Sequence, residues 1–294
     1  MNRLMEARWW VAVLVLGHAV SGDAVLFGAG EHAFDLTFRE ISGETYPAGG
    51  TGRVAYDYGI GTYEITADQW DKYLVNTDHV NSGSIPSTTG SEAVNFTSWD
   101  EAAQFVNWLN TSSGYAPAYN FDAEGTFSLW SADEQSATSA YRHKDAIYVL
   151  PSEDEWTKAA YWSGTTRQIY ATLDGDVPSM VEANYGNEDG SIWQVGSGAE
   201  ELNGTYDMMG NVCEWTESAA NGVDAIGEFR AIRGGSYADN SFSISIHDDS
   251  MSGATYFESG TIGFRVAVVP EPASIALIGL FGGGVLLIRR IFMM

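Results

Sequence analysis

Three times along this chain the pattern Ser/Thr-x-x-Glu/Gln stands at the head of a short apolar stripe opened by tryptophan. The three sites are Thr66-Ala67-Asp68-Gln69, Ser98-Trp99-Asp100-Glu101 and Ser152-Glu153-Asp154-Glu155. In such a box the hydroxyl accepts from the third helical amide, and the Gln or Glu side chain reaches back to the cap. The stripes are Trp70, Tyr73 and Leu74; Trp99, Ala102, Ala103, Val106 and Leu109; and Trp156, Ala159 and Ala160. Their i, i+3, i+4 spacing predicts three short amphipathic helices. The tryptophans read as core anchors, not as ligand platforms.

Between these helices the sequence is irregular. The whole chain holds 33 glycines, 10 tryptophans and 15 tyrosines, which suits a loop-rich domain with aromatic packing. Apolar alternation at Phe34, Leu36 and Phe38 predicts a half-buried strand. Further strands are expected at Asp145–Leu150, Phe229–Arg233 and Gly263–Val269. Residues 111–146 read as a polar insertion, and 163–206 as a long functional or metal-pinned loop. The order of elements predicts an α+β fold.

The two ends read as addresses. Arg3 and Arg8 precede an apolar run ending near Gly17, with Ala19-Val20-Ser21 as a cleavage site, so residues 1–21 are expected to be a signal peptide. At the other end Pro270-Glu271-Pro272 precedes Ala273–Ile288 and Arg289-Arg290. Sixteen apolar residues would make a helix of about 24 Å. An ordinary anchor is one reading of 270–294. The layout also resembles the PEP-CTERM sorting signal. That resemblance implies an exosortase-type sorting machinery as a partner, transient residence in the inner membrane, and a final location at the cell surface or in the extracellular matrix. The globular domain then spans 22–269.

The net charge is −25, from 39 acidic and 14 basic side chains. Such a chain repels polyanions, which excludes nucleic acid as a partner. Cys213 is the sole cysteine, so neither an internal disulfide nor a cysteine-based zinc site is possible.

Six blocks occur in the order found in the sulfatase-modifying factor (formylglycine-generating enzyme) family, which the chain resembles over 34–268. They are YEITADQWDKYL (63–74), VNFTSWDEAAQFVNWLN (94–110), YVLPSEDEWTKAAYW (148–162), YDMMGNVCEWT (206–216), RAIRGGSY (230–237) and IGFRVA (262–267). The resemblance implies an irregular variant of the C-type-lectin fold with bound calcium. It also implies oxidation of a cysteine to formylglycine in an unfolded sulfatase, using copper and oxygen. Copper of that kind is held by two close thiolates. In the family both follow the Arg-Gly-Gly-Ser block, at positions that are Asp239 and Ile244 here. Cys213 lies in a different block. The expectation is therefore a degenerate, non-catalytic member without copper.

The resemblance carries over a structural Ca²⁺ site at Asp207, Gly210, Val212 and Glu214, an oxygen set suited to calcium. The alternative is a plain turn with Glu214 in a salt bridge. A second calcium site would fall at Asn184, Tyr185 and Asp189. Asp122-Ala123-Glu124-Gly125 resembles a calcium loop only faintly. The block Arg233-Gly234-Gly235-Ser236 reads either as the remnant of a substrate cleft or as a structural break with Arg233 and Arg265 in buried ion pairs. Ligand contacts are expected at Ser236, Tyr237, Asp239, Phe242 and His247, with Asp248, Asp249 and Tyr256 nearby. Two functions remain open: a binding protein for an extracellular glycan or protein, and an enzyme of the same family acting on a sulfatase cysteine or another substrate.

Overall fold

The structure is a computed structural model that describes residues 24–77, 86–187 and 190–269. Residues 1–21 and 270–294, and with them the expected signal peptide and sorting segment, lie outside these. The expectation of a C-terminal membrane anchor is corrected: among the described residues no helix is long and apolar enough to cross a membrane.

The three expected helices form. α1 (Ala67–Thr77), α2 (Trp99–Ser112) and α3 (Glu153–Tyr161) each begin at their boxes. Thr66 and Gln69 exchange bonds of 2.9 and 3.2 Å, and complete capping boxes stand at Ser98/Glu101 and Ser152/Glu155. Each stripe turns inward, with Trp70, Trp99 and Trp156 almost wholly buried. Two of the indoles also find acceptors. Trp99 Nε1 donates to the Thr216 carbonyl (3.0 Å) and Trp156 Nε1 to Glu214 (2.8 Å), as a buried indole requires.

Eleven strands appear among the described residues. β1 (Ala24–Phe27), β2 (Phe34–Ile41), β3 (Tyr58–Gly61), β4 (Asn120–Phe121), β5 (Phe127–Ser128) and β6 (Tyr148–Val149) precede α3. β7 (Cys213–Ala219), β8 (Arg230–Arg233), β9 (Ser252–Gly253), β10 (Ile262–Gly263) and β11 (Ala267–Val268) follow it. One sheet runs β1-β2-β3-β11-β6, a second β10-β7-β8-β9, and β4 and β5 form a hairpin within the polar insertion. All pairs are antiparallel except β10 with β7.

The strand expected at 263–269 is two pieces, because the chain crosses there from the second sheet to the first. Phe264, Arg265 and Val266, between the pieces, are buried. The strand expected at 145–150 shortens to β6. Asn110 of α2 takes up the neighbouring polar groups, accepting from the amides of Ile147 and Tyr148 and donating to the Tyr148 carbonyl (2.7 Å). The faint calcium loop at Asp122 is a side-chain-capped turn: its Oδ1 accepts from the amides of Glu124 and Thr126.

Candidate functional site

β7 leads into the site from the 206–216 block. The backbone is tightly wound just before it: Asp207, Gly210 and Asn211 all have positive φ, at 59°, 90° and 58°. Asp and Asn tolerate this conformation through their short polar side chains. At 210 only glycine fits, since a Cβ would come within 2.2 Å of the Asn184 carbonyl oxygen. The winding aims Asn211 inward. Its amide donates to Glu64 (2.7 Å) and its oxygen accepts from Asn184 Nδ2 (3.0 Å) and the Trp193 amide (2.7 Å). Glu64 also accepts from the Val212 amide (3.1 Å).

Beneath the loop lies Arg265, fully buried. Its Nε and Nη2 grip the two oxygens of Glu214 at 2.6 Å each, and Nη1 and Nη2 also reach the carbonyls of Gly61 and Tyr206 at 2.9 Å. Three more buried acids share this one guanidinium. Asp207 accepts from the Gly196 amide (2.6 Å), and Glu201 accepts from the Met208 amide and the Thr205 hydroxyl. Burial pushes the Asp207 carboxyl up to about 6 and the Glu201 carboxyl up to about 8. Burial, with Asp207 and Glu214 beside it, raises Glu64 well above the ordinary range.

The carried-over calcium positions take part in these contacts. Both Glu214 oxygens accept from the Arg265 fork, one also from Trp156, which makes a charge-assisted bidentate pair. This is the salt bridge of the alternative reading. Asp207 and Gly210 lie in the wound loop. At the second expected site Asn184 bonds to Asn211 and to the Ser191 carbonyl, and the Tyr185 hydroxyl donates to the Pro178 carbonyl; Asp189 lies outside the described residues. Among the described residues no group of three or more His, Cys, Asp or Glu side chains is arranged to hold a metal ion.

The Arg-Gly-Gly-Ser block follows β8. Arg233 pairs with Glu153 of α3 and donates to the Asp248 carbonyl (3.0 Å). Both expected ion pairs, at Arg233 and Arg265, are present. Ser236 is buried, and its Oγ and amide both bond one oxygen of Asp239, at 2.6 and 2.9 Å. The Cys213 thiol lies 3.8 Å from that same oxygen and 3.8 Å from Met251 Sδ. Burial, with the Asp239 charge added, raises the thiol well above its ordinary value. Ile244 is fully buried, whereas Phe242 is 58% exposed. Tyr237 is half-buried and His247 exposed. The cavity beside this block is about 30 Å³, lined by Tyr161, Arg233, Gly234, Ser245 and Asp248 among others. It has room for roughly one or two waters.

The structure brings Ser236, Asp239 and Cys213 together, and the sequence reading does not single out Glu64, Glu201 or Asn211. Nothing local in Tyr63-Glu64-Ile65 marks the glutamate as a buried partner of a loop about 150 residues away. Glu155 was legible as a cap. Its second role, in a buried cluster with Arg142 (2.9 Å) and Glu217, was not.

An irregular α+β domain of two small sheets and three capped helices, with a buried Arg–Glu pair under a wound loop, defines a C-type-lectin-like scaffold of the formylglycine-generating type. The chain belongs to the family of the sulfatase-modifying factor enzyme 1-like domain, whose model matches residues 19–269. No curated protein matches the sequence. Solved structures with similar folds include Treponema denticola variable protein 1, at 21% identity and a TM-score of 0.63, over 85% of this chain and 100% of that one. CarF is 22% identical with a TM-score of 0.61, over 80% and 99% of the two chains. PvdO from Pseudomonas aeruginosa is 19% identical with a TM-score of 0.55, over 84% and 98%. Likeness at these identities establishes the fold alone.

Proposed function

We propose that this chain is a non-catalytic member of its family that uses the scaffold to bind a glycan or protein ligand. The observation that carries the reading is the chemistry of the corner after Ser236. Where the family resemblance puts two thiolates, this chain has a carboxylate bonded to Ser236 and a buried isoleucine. A carboxylate and an alkyl group do not replace thiolates on soft copper. The nearby Cys213 is a buried thiol of raised pKa, so its thiolate form, which a metal requires, is disfavoured. Anaerobic titration with Cu(I) tests the point. No tight stoichiometric site is expected. A tight site that disappears in Cys213→Ser would contradict the reading.

A further inference from the structure

A cavity of about 220 Å³ opens between β2 and the chain running from the end of β3 into α1. β2 pairs with β3 only over Phe38–Ile41. Ahead of that the two chains are bridged by the Thr62 amide on the Thr37 carbonyl (2.8 Å) and by Gln69 Nε2 on the Asp35 carbonyl (2.9 Å). Leu36, Ile65 and Val266 give the cavity apolar lining; Asp35, Thr37 and Gln69 give it polar lining.

Tyr63 also lines the cavity and is 37% exposed. Its ring is fixed from two sides. Tyr206 lies 5.2 Å away with the planes 32° apart. Gly196 packs against the ring so closely that a Cβ there would come within 2.6 Å of Cε1. An aromatic face ordered in advance spares a ligand the cost of ordering it.

The shape and the chemistry narrow the ligand. A cavity of roughly 150 Å³ takes a benzene ring, so this one admits a single substituted six-membered ring. A pyranose offers an apolar C–H face for an aromatic ring and a rim of hydroxyls for carboxylate, amide and hydroxyl partners. Acidic Asp35 lines the cavity, Glu200 accepts from the Tyr206 hydroxyl (3.1 Å), and the chain carries a net −25. Such a field disfavours anionic sugars. We propose that the β2/α1 cavity is a subsite for one uncharged pyranose ring of a glycan, stacked on Tyr63. The proposal rests on the binding reading above and gives it an address away from the 237–258 loops.

The test is saturation-transfer NMR and titration with methyl glycosides of glucose, galactose, mannose and N-acetylglucosamine, with methyl glucuronide as the charged counterpart. The proteins are the full chain, Tyr63→Phe, Tyr63→Ala and Phe242→Ala, each checked for an unchanged circular dichroism spectrum and melting point. At least one uncharged glycoside should bind, and more tightly than the glucuronide. Tyr63→Phe should keep the affinity. Tyr63→Ala should weaken it by about tenfold or more, the ordinary cost of truncating an aromatic anchor. Phe242→Ala should change nothing. Binding that survives Tyr63→Ala, or that is lost in Phe242→Ala instead, overturns the subsite and leaves the binding reading standing at the loops. Absence of binding by every uncharged glycoside also overturns the subsite, whereas the non-catalytic reading is tested separately by the Cu(I) titration.

Discussion

Cys213 and Glu214 are neighbours on one strand, and their surroundings differ as much as any two regions of this molecule. Successive strand residues face opposite ways. Glu214 faces Arg265, Trp156 and the buried acids under the wound loop. Cys213 faces Asp239, Ser236 and Met251. The Glu214 side ties 206–216 to the 262–267 block and so holds the fold. On the Cys213 side the strong bonds are local, from Ser236 to Asp239 within one turn, with the thiol packed against Asp239 and Met251. The framework is thus tied by a buried ion pair between distant blocks, while Ser236 and Asp239 are joined within a local turn.

If that contrast holds, the largest effect belongs to the Glu214 side. Glu214→Gln leaves the Arg265 charge buried without its counter-ion, a loss of about 3–5 kcal/mol by the usual cost of breaking a buried pair. Urea unfolding should show it, with the same loss in calcium and in chelator. A destabilisation that appears only with calcium would return Glu214 to the role of a metal ligand.

The second effect is a pH dependence with its source on the same side. Glu201 and Asp207 hold protons more tightly folded than unfolded, with folded values of about 8 and about 6 against ordinary values of 4.5 and 3.8. The stability they contribute is complete below the unfolded values. It is lost as pH rises, first through about 6 and then through about 8. The melting point should fall between pH 5 and pH 9, by a free-energy change on the order of a few kcal/mol. In Glu201→Gln the upper part of that fall should disappear. A melting point that rises across this window would contradict the arrangement.

Of the three capped helices nearly everything was legible, because each box and stripe is local and its tryptophan has nowhere to go but inward. Strands two residues long, such as β4, β5 and β9, were not, and β10 and β11 were read as one continuous strand. They exist because separate stretches of chain happen to meet, and the two-residue register carries no pattern. The Arg265–Glu214 pair was foreseen in kind, since an arginine amid apolar IGFRVA has to be neutralised. Its full reach was not, because only the geometry shows that Arg265 also bonds the carbonyls of Gly61 and Tyr206. The cavity at Tyr63 was likewise hidden: it results from β2 and the chain after β3 parting ahead of Phe38 and past Gly61, which no residue announces.

On the Cys213 side the effects are smaller. Asp239→Ala removes two bonds from Ser236 to a charged acceptor and should cost about 1.5–3 kcal/mol in urea unfolding. It also removes a charge that raises the thiol. Labelling of Cys213 by a disulfide reagent should be slow in the native chain and faster in this variant; rapid labelling of the native chain would show the corner to be open. Smallest of all, Phe242→Ala and His247→Ala replace exposed side chains and should shift stability by no more than about 0.5 kcal/mol.

The most direct measurement is a product assay. The purified chain is supplied with copper, oxygen, reductant and a peptide containing Cys-x-Pro-x-Arg, and mass spectrometry and an aldehyde-trapping reagent follow the peptide cysteine. The cysteine should remain a thiol or become a disulfide, with no formylglycine formed. Enzyme-dependent appearance of the aldehyde would contradict the non-catalytic reading.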